Sequence, residues 1–105
     1  MRVCFLMQVR RHRIAEYKTR HAQVWPEMLG ALHQTGWRNY SLFLRHDGLL
    51  VGYLETDDFE RCCAEMKKLP INDRWQSEMA PYFELFSTGG PDDHMTPLEE
   101  VFHLD

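Results

Sequence analysis

"WRNYSLFLRHDGLLVGYLE", residues Trp37 to Glu55, decides the fold. Apolar residues alternate on both sides of "HDG": Tyr40, Leu42 and Leu44 share one side, and Leu49, Val51 and Tyr53 likewise share one. A period of two is the signature of a pleated strand. Asp47-Gly48 supplies the turn, because both residue types tolerate the positive φ that hairpins demand. Two antiparallel strands are therefore expected mid-chain.

Toward the N-terminus, Ile14, Tyr17, Val24, Trp25, Met28 and Leu32 recur at helical spacing between Arg13 and Gln34. Pro26 cannot donate a backbone hydrogen bond and its ring crowds the carbonyl of Ala22. The segment is predicted to kink, or to split into two helices with Pro26 in the opening turn of the second. Gly36 is the expected stop. Before it, "RVCFLMQVR" (Arg2 to Arg10) is apolar almost throughout and reads as a strand buried on both faces, in the middle of a sheet.

Toward the C-terminus, "TDDFERCCAEMKKL" (Thr56 to Leu69) opens with capping residues and ends at Pro70. A second helix is expected from Asp73 to Phe86, with Trp75, Met79, Tyr82 and Phe83 in a stripe and Pro81 as an irregularity. "STGGPDDHMTP" (Ser87 to Pro97) reads as a loop, and "LEEVFHL" (Leu98 to Leu104) as a last strand. Strand, helix, strand, strand, helix, strand is the α+β plan of a ferredoxin-like βαββαβ sandwich. Its four-stranded antiparallel sheet, in order 4-1-3-2, carries helices on one face only. The other face still holds large apolar residues, and a homodimer is the expected cover.

A chain of 105 residues suits a single domain over 1–105 with one modest core. A net charge of −4, without a large Lys/Arg cluster, excludes nucleic acid as the expected partner. The pairs Arg10-Arg11 and Lys67-Lys68 read as solvated element ends. Cys4, Cys62 and Cys63 do not form a disulfide framework and are expected as reduced thiols. "MRVCFLMQVRRHR" has too short an apolar run for a signal peptide, and nothing is long enough to span a membrane. A cytoplasmic protein without a membrane partner is expected.

"AEYKTRHAQVWPEM" (Ala15 to Met28) places a titratable ring in the apolar stripe. His21 lies four residues after Tyr17 and four before Trp25, so the three share a face as far as the helix persists. Near neutral pH one imidazole nitrogen donates a proton while the other accepts. A phenol adds a donor and acceptor, an indole adds a flat wall, and the carbonyl freed by Pro26 adds an acceptor. The bland alternative is a structural histidine between two core aromatics, and the residues alone go no further than a pocket for a small polar ligand. The six histidines show no HxxxH or HExxH pair, so no metal is expected. Cys62-Cys63 lacks a CxxC partner, Gly89-Gly90 lacks phosphate-loop spacing, and Asp92-Asp93 reads as solvated. Trp75-Gln76 pairs an aromatic platform with an amide, an arrangement suited to hydroxyls, although a core Trp beside a surface Gln explains it equally.

"MQV" in the first strand, "EYKTRHAQVWPEM", "NYSLFL", "DRWQ" and "LEEVFHL" together resemble the L-rhamnose mutarotase family, in order and over nearly the whole chain. The Tyr-x-x-Arg-His-x-x-x-Trp-Pro-Glu string is the most specific part. The resemblance implies a dimeric α+β barrel of ferredoxin-like type that interconverts the α and β anomers of a pyranose without a cofactor. It implies His21 as proton donor and Tyr17, Tyr40 and Trp75, with the Gln76 position beside it, as residues binding a monosaccharide. Gln76 departs from the family's best-known members, which carry a second tryptophan there, so L-fucose or a related aldose is an admissible substrate beside L-rhamnose. Ring opening needs a proton delivered to the ring oxygen and one removed from the anomeric hydroxyl, with Tyr17 or a water completing the circuit. A haem- or quinone-using relative of the fold and a sugar-binding module without turnover are the alternatives.

Overall fold

The computed structural model describes residues 1–84 and 91–105. Its sheet has the order β2-β3-β1-β4, built from β1 (Arg2–Gln8), β2 (Arg38–Leu44), β3 (Leu49–Glu55) and β4 (Thr96–Pro97), all pairs antiparallel. The expected central strand is central, and the predicted 4-1-3-2 order is the observed order read from the other edge. Helices α1 (Ile14–His21), α2 (Pro26–Gln34), α3 (Phe59–Lys67) and α4 (Pro70–Met79) complete the ferredoxin-like α+β fold.

Strand register explains which side of the sheet becomes core. Val3 pairs with Leu54, Phe5 with Gly52 and Met7 with Leu50, while Leu42 pairs with Gly52 and Leu44 with Leu50. Directly paired residues point the same way, so these side chains form one face, and Val3, Phe5, Leu50 and Leu54 are buried on it. Cys4, Leu6, Phe43, Leu49, Val51 and Tyr53 take the opposite face. There Phe43 remains 61% exposed. Burial of β1 on both faces is therefore not met within one copy. Gly52 is a steric necessity: a Cβ there would lie 2.3 Å from the Phe5 ring.

The hairpin turn differs in detail from the expected one. Gly48 alone takes positive φ (96°), whereas Asp47 does not. The Gly48 N–H returns to the Arg45 carbonyl at 2.9 Å, which makes a three-residue loop closed by a left-handed glycine. Asp47 contributes its side chain instead, accepting from the Leu49 N–H and from the Arg45 guanidinium, whose proximity holds the carboxyl well below the usual carboxylate range.

Pro26 splits the first helical region as anticipated and occupies the first position of α2. Gly36 stops α2: its N–H bonds the His33 carbonyl, and the Trp37 N–H bonds that of Leu32. Asp58 caps α3 by accepting from the Arg61 N–H at 3.1 Å. Pro70 opens α4 three residues earlier than predicted, because a missing N–H costs nothing in a first turn. Pro81 ends that helix at Met79; a 3-10 turn follows (Ala80–Tyr82), and Phe83 is extended and bridges Val9. The predicted stripe is nonetheless buried, since Trp75, Met79, Tyr82 and Phe83 all join the core. Leu85 and Phe86, and Ser87 to Gly90 of the predicted loop, lie outside the described residues.

At the C-terminus the structure departs from the expected strand over Leu98 to Leu104. The last strand is Thr96–Pro97, within the expected loop, and Pro91–Asp93 is a 3-10 turn. Leu98 to Leu104 is not strand: after the Leu98 N–H bonds the Cys4 carbonyl, the chain makes no further main-chain ladder among the described residues. Val101, Phe102 and Leu104 are 80% exposed or more.

Candidate active site

Between the core face of the sheet and the helices lies a cavity of about 390 Å³, inside the range of roughly 300–1,000 Å³ usual for small-molecule pockets. Five of the residues that the sequence points to line it: Tyr17 and His21 from α1, Tyr40 from β2, Trp75 and Gln76 from α4. Met7 and Leu50 form its floor on the two central strands. The wall is mostly apolar, with a few polar groups converging on it, as ligand sites require.

His21 is the last residue of α1, and its position follows from helix geometry. The ring stacks on Tyr17 one turn earlier, centroids 4.1 Å apart and planes at 27°. Trp75 meets it edge-on at 5.5 Å. His21 Nδ1 lies 3.2 Å from the Tyr17 carbonyl oxygen. A carbonyl only accepts, so Nδ1 carries the hydrogen and the neutral ring leaves its lone pair on Nε2. Burial lowers the His21 pKa, opposed by that backbone hydrogen bond. The ring is thus held as the neutral base with a defined tautomer.

The two phenols behave differently from the imidazole. Burial drives the Tyr17 pKa up, with the nearby Tyr40 adding to the rise, and burial drives that of Tyr40 up as well. Both remain protonated donors throughout the physiological range and cannot serve as bases. Cys63, also on the wall, is pushed up to about 12, chiefly by burial, so it offers no thiolate nucleophile.

Trp25 does not join the site. Helix α1 ends at His21, so the expected shared face stops one turn short; Trp25 instead packs behind Trp75, rings 5.0 Å apart at 81°. The flat wall expected of Trp25 is supplied by Trp75. Ala22 is exposed and no part of the lining, so its carbonyl adds no acceptor to the cavity.

Three cavity residues were not found from sequence. Asn72 is 3% exposed and one turn before Gln76, which donates from Nε2 to Asn72 Oδ1 at 3.1 Å. Asn72 Nδ2 in turn donates to Asp92 Oδ2 at 3.2 Å. Asp92, read from sequence as solvated, is half-buried on the wall. Lys67, expected as a solvated helix end, is exposed yet lies at the cavity's edge. The four-residue spacing of Asn72 and Gln76 carried a signal; Asp92, twenty residues further along the sequence, carried none.

The family model described as L-rhamnose mutarotase matches residues 2–104. The chain belongs to the L-rhamnose mutarotase family. Among curated relatives, L-rhamnose mutarotase of Oceanobacillus iheyensis is 38% identical over 102 residues, 96% of this chain and 95% of its own. That of Bacillus subtilis is 39% identical over 101 residues, covering 95% and 94%. The crystal structure of L-rhamnose mutarotase from Formosa agariphila superposes with a TM-score of 0.81 at 27% identity, covering 100% of this chain and 99% of that one. Tetracenomycin F2 cyclase from Streptomyces glaucescens, at TM-score 0.70 and 16% identity over 100% and 97% of the two chains, shares the fold. Membership makes the chain a carbohydrate isomerase.

Proposed function

We propose that the cavity around His21 is where this member of the family interconverts the α and β anomers of L-rhamnopyranose, in one domain spanning 1–105. The observation that carries the reading is the Nδ1 hydrogen bond to the Tyr17 carbonyl, which leaves Nε2 as the proton acceptor of a residue that lines the cavity. In ring opening, Nε2 takes the proton of the anomeric hydroxyl. The C1–O1 bond becomes a carbonyl, the C1–O5 bond breaks, and its electron pair goes to O5. The imidazolium then returns its proton to O5. Both oxygens are bonded to C1, so one nitrogen reaches each in turn. Rotation about C1–C2 exposes the other carbonyl face, and the same steps run backwards. His21 is thereby still the proton donor to the ring oxygen, having first acted as base.

Tyr17 and Tyr40, locked as neutral phenols, donate hydrogen bonds to sugar oxygens, and Trp75 offers a ring against which the C–H face of a pyranose packs. Gln76 supplies an amide for hydroxyls. Saturation-transfer NMR of anomer exchange tests the assignment. His21→Ala should reduce exchange toward the uncatalysed rate in a protein with an unaltered melting curve; retained activity removes His21 from the reaction. L-fucose run beside L-rhamnose checks substrate preference, since the Gln76 wall admits a different hydroxyl pattern.

The open sheet face supports a homodimer. Phe43 stands on it at 61% exposure beside Leu6, Val51 and Tyr53, and a second copy is the cover that a helix-free face calls for. Free Cys4, Cys62 and Cys63 fit a reducing compartment, and no described helix is long and apolar enough to cross a membrane. We therefore assign the protein to the cytoplasm.

A further inference from the structure

The hydrogen-bond chain Asp92–Asn72–Gln76 has a direction, and the direction has a consequence for the sugar. A carboxylate accepts only. Asp92 Oδ2 therefore requires Asn72 to present its amide nitrogen, at 3.2 Å. With Nδ2 committed, Asn72 Oδ1 faces the other way and accepts from Gln76 Nε2 at 3.1 Å. Gln76 is thus fixed with its nitrogen turned to Asn72, and its carbonyl oxygen Oε1, on a residue that lines the cavity, has no partner among the described residues. Without Asp92, either amide could turn over at little cost, because the two ends of a carboxamide have nearly the same shape.

We propose that Asp92 and Asn72 are positioning residues that hold Gln76 as a hydrogen-bond acceptor, so that the α4 wall selects a pyranose carrying a hydroxyl donor opposite Gln76 Oε1. This rests on the sugar-binding reading above and deepens it. The burial of Asn72, at 3% exposure, is its main support. An asparagine kept from water with both ends of its amide occupied transmits orientation with little slack. Asp92 touches Asn72 and acts through it, so its effect on sugar must vanish when Gln76 can no longer accept.

The experiment is a double-mutant cycle read by calorimetric binding of L-rhamnose, with anomer exchange measured in parallel. Asp92→Ala should weaken binding about two- to tenfold, the loss of one properly aimed hydrogen bond, and raise KM by a like factor with kcat nearly unchanged. Gln76→Ala should do the same, and Asp92→Ala added to Gln76→Ala should cost nothing more. Asp92→Leu, which keeps a similar shape and removes the acceptor, should reproduce the Asp92→Ala effect and keeps the test open if the alanine variant does not fold. Among L-rhamnose analogues deoxygenated at C2, C3 or C4, one should bind wild type and Asp92→Leu equally. Full-strength binding by folded Asp92→Leu, or additive losses in the double variant, would overturn the proposal. If wild type exchanges no anomers while the binding cycle still shows coupling, the catalytic reading fails and this one stands.

Discussion

The α1 side and the α4 side of the cavity are oriented by different means. On α1, His21 is aimed by a main-chain carbonyl, that of Tyr17. On α4, Gln76 is aimed by side chains, Asn72 and behind it Asp92. A main-chain anchor survives substitution of almost any neighbour as long as the helix persists. A side-chain relay is lost with any of its members. Proton chemistry is thereby insulated from sequence change, while hydroxyl recognition is exposed to it.

The contrast breaks first at His21. His21→Asn should lower kcat by roughly 10²–10⁴-fold, the span expected of general acid–base catalysis, with KM nearly constant in the exchange assay. If KM rises instead and kcat holds, α1 is a binding wall like α4 and the distinction fails. The floor beneath both sides comes next. Gly52→Ala forces its Cβ into the fully buried Phe5 ring, and should destabilise by about 1–3 kcal/mol in urea unfolding. Because Phe5 also packs against Tyr40, ring centroids 6.3 Å apart, sugar binding should weaken alongside. Unchanged stability would mean that the β1–β3 register has room that the structure does not give it.

Tyr17→Phe sharpens the comparison, since it deletes the phenol and keeps the carbonyl that aims His21. Loss of one hydrogen bond predicts a fall of about tenfold or less in kcat/KM. A fall as deep as that of His21→Asn would shift the proton chemistry to the phenol. The smallest catalytic effect is expected on the face away from the cavity. Phe43→Glu should drive the protein toward monomer in sedimentation while leaving exchange intact. A dimer unaffected by a charge at Phe43 would place the second copy elsewhere.

Period and punctuation made most of the fold legible. Alternation around "HDG" located β2 and β3, and Pro26 and Gly36 marked α2 at both ends. Proline changes meaning with position: Pro70 ends one helical region and begins the next, and Pro81 takes Tyr82 and Phe83 out of the helix without taking them out of the core. "LEEVFHL" has strand composition, but a strand needs a neighbour, and beyond Leu98 the described residues provide none. In the site, His21 and Tyr17 were readable because helical spacing joins them. Trp25 was over-read for the same reason, the helix ending before it. Asp92 was invisible because its partner is set by the return of the chain across the fold, not by any local period.

The neutral tautomer of His21 is tested most directly by the pH dependence of anomer exchange. Burial holds the imidazole below its ordinary value of 6.5, and exchange begins with Nε2 unprotonated. As pH falls, protonation removes the acceptor. kcat/KM should climb from acid through an apparent pKa under 6.5 and then stay level beyond pH 8. A profile that instead declines as pH rises through that pKa would show the imidazolium to be the starting form, and would contradict the neutral tautomer.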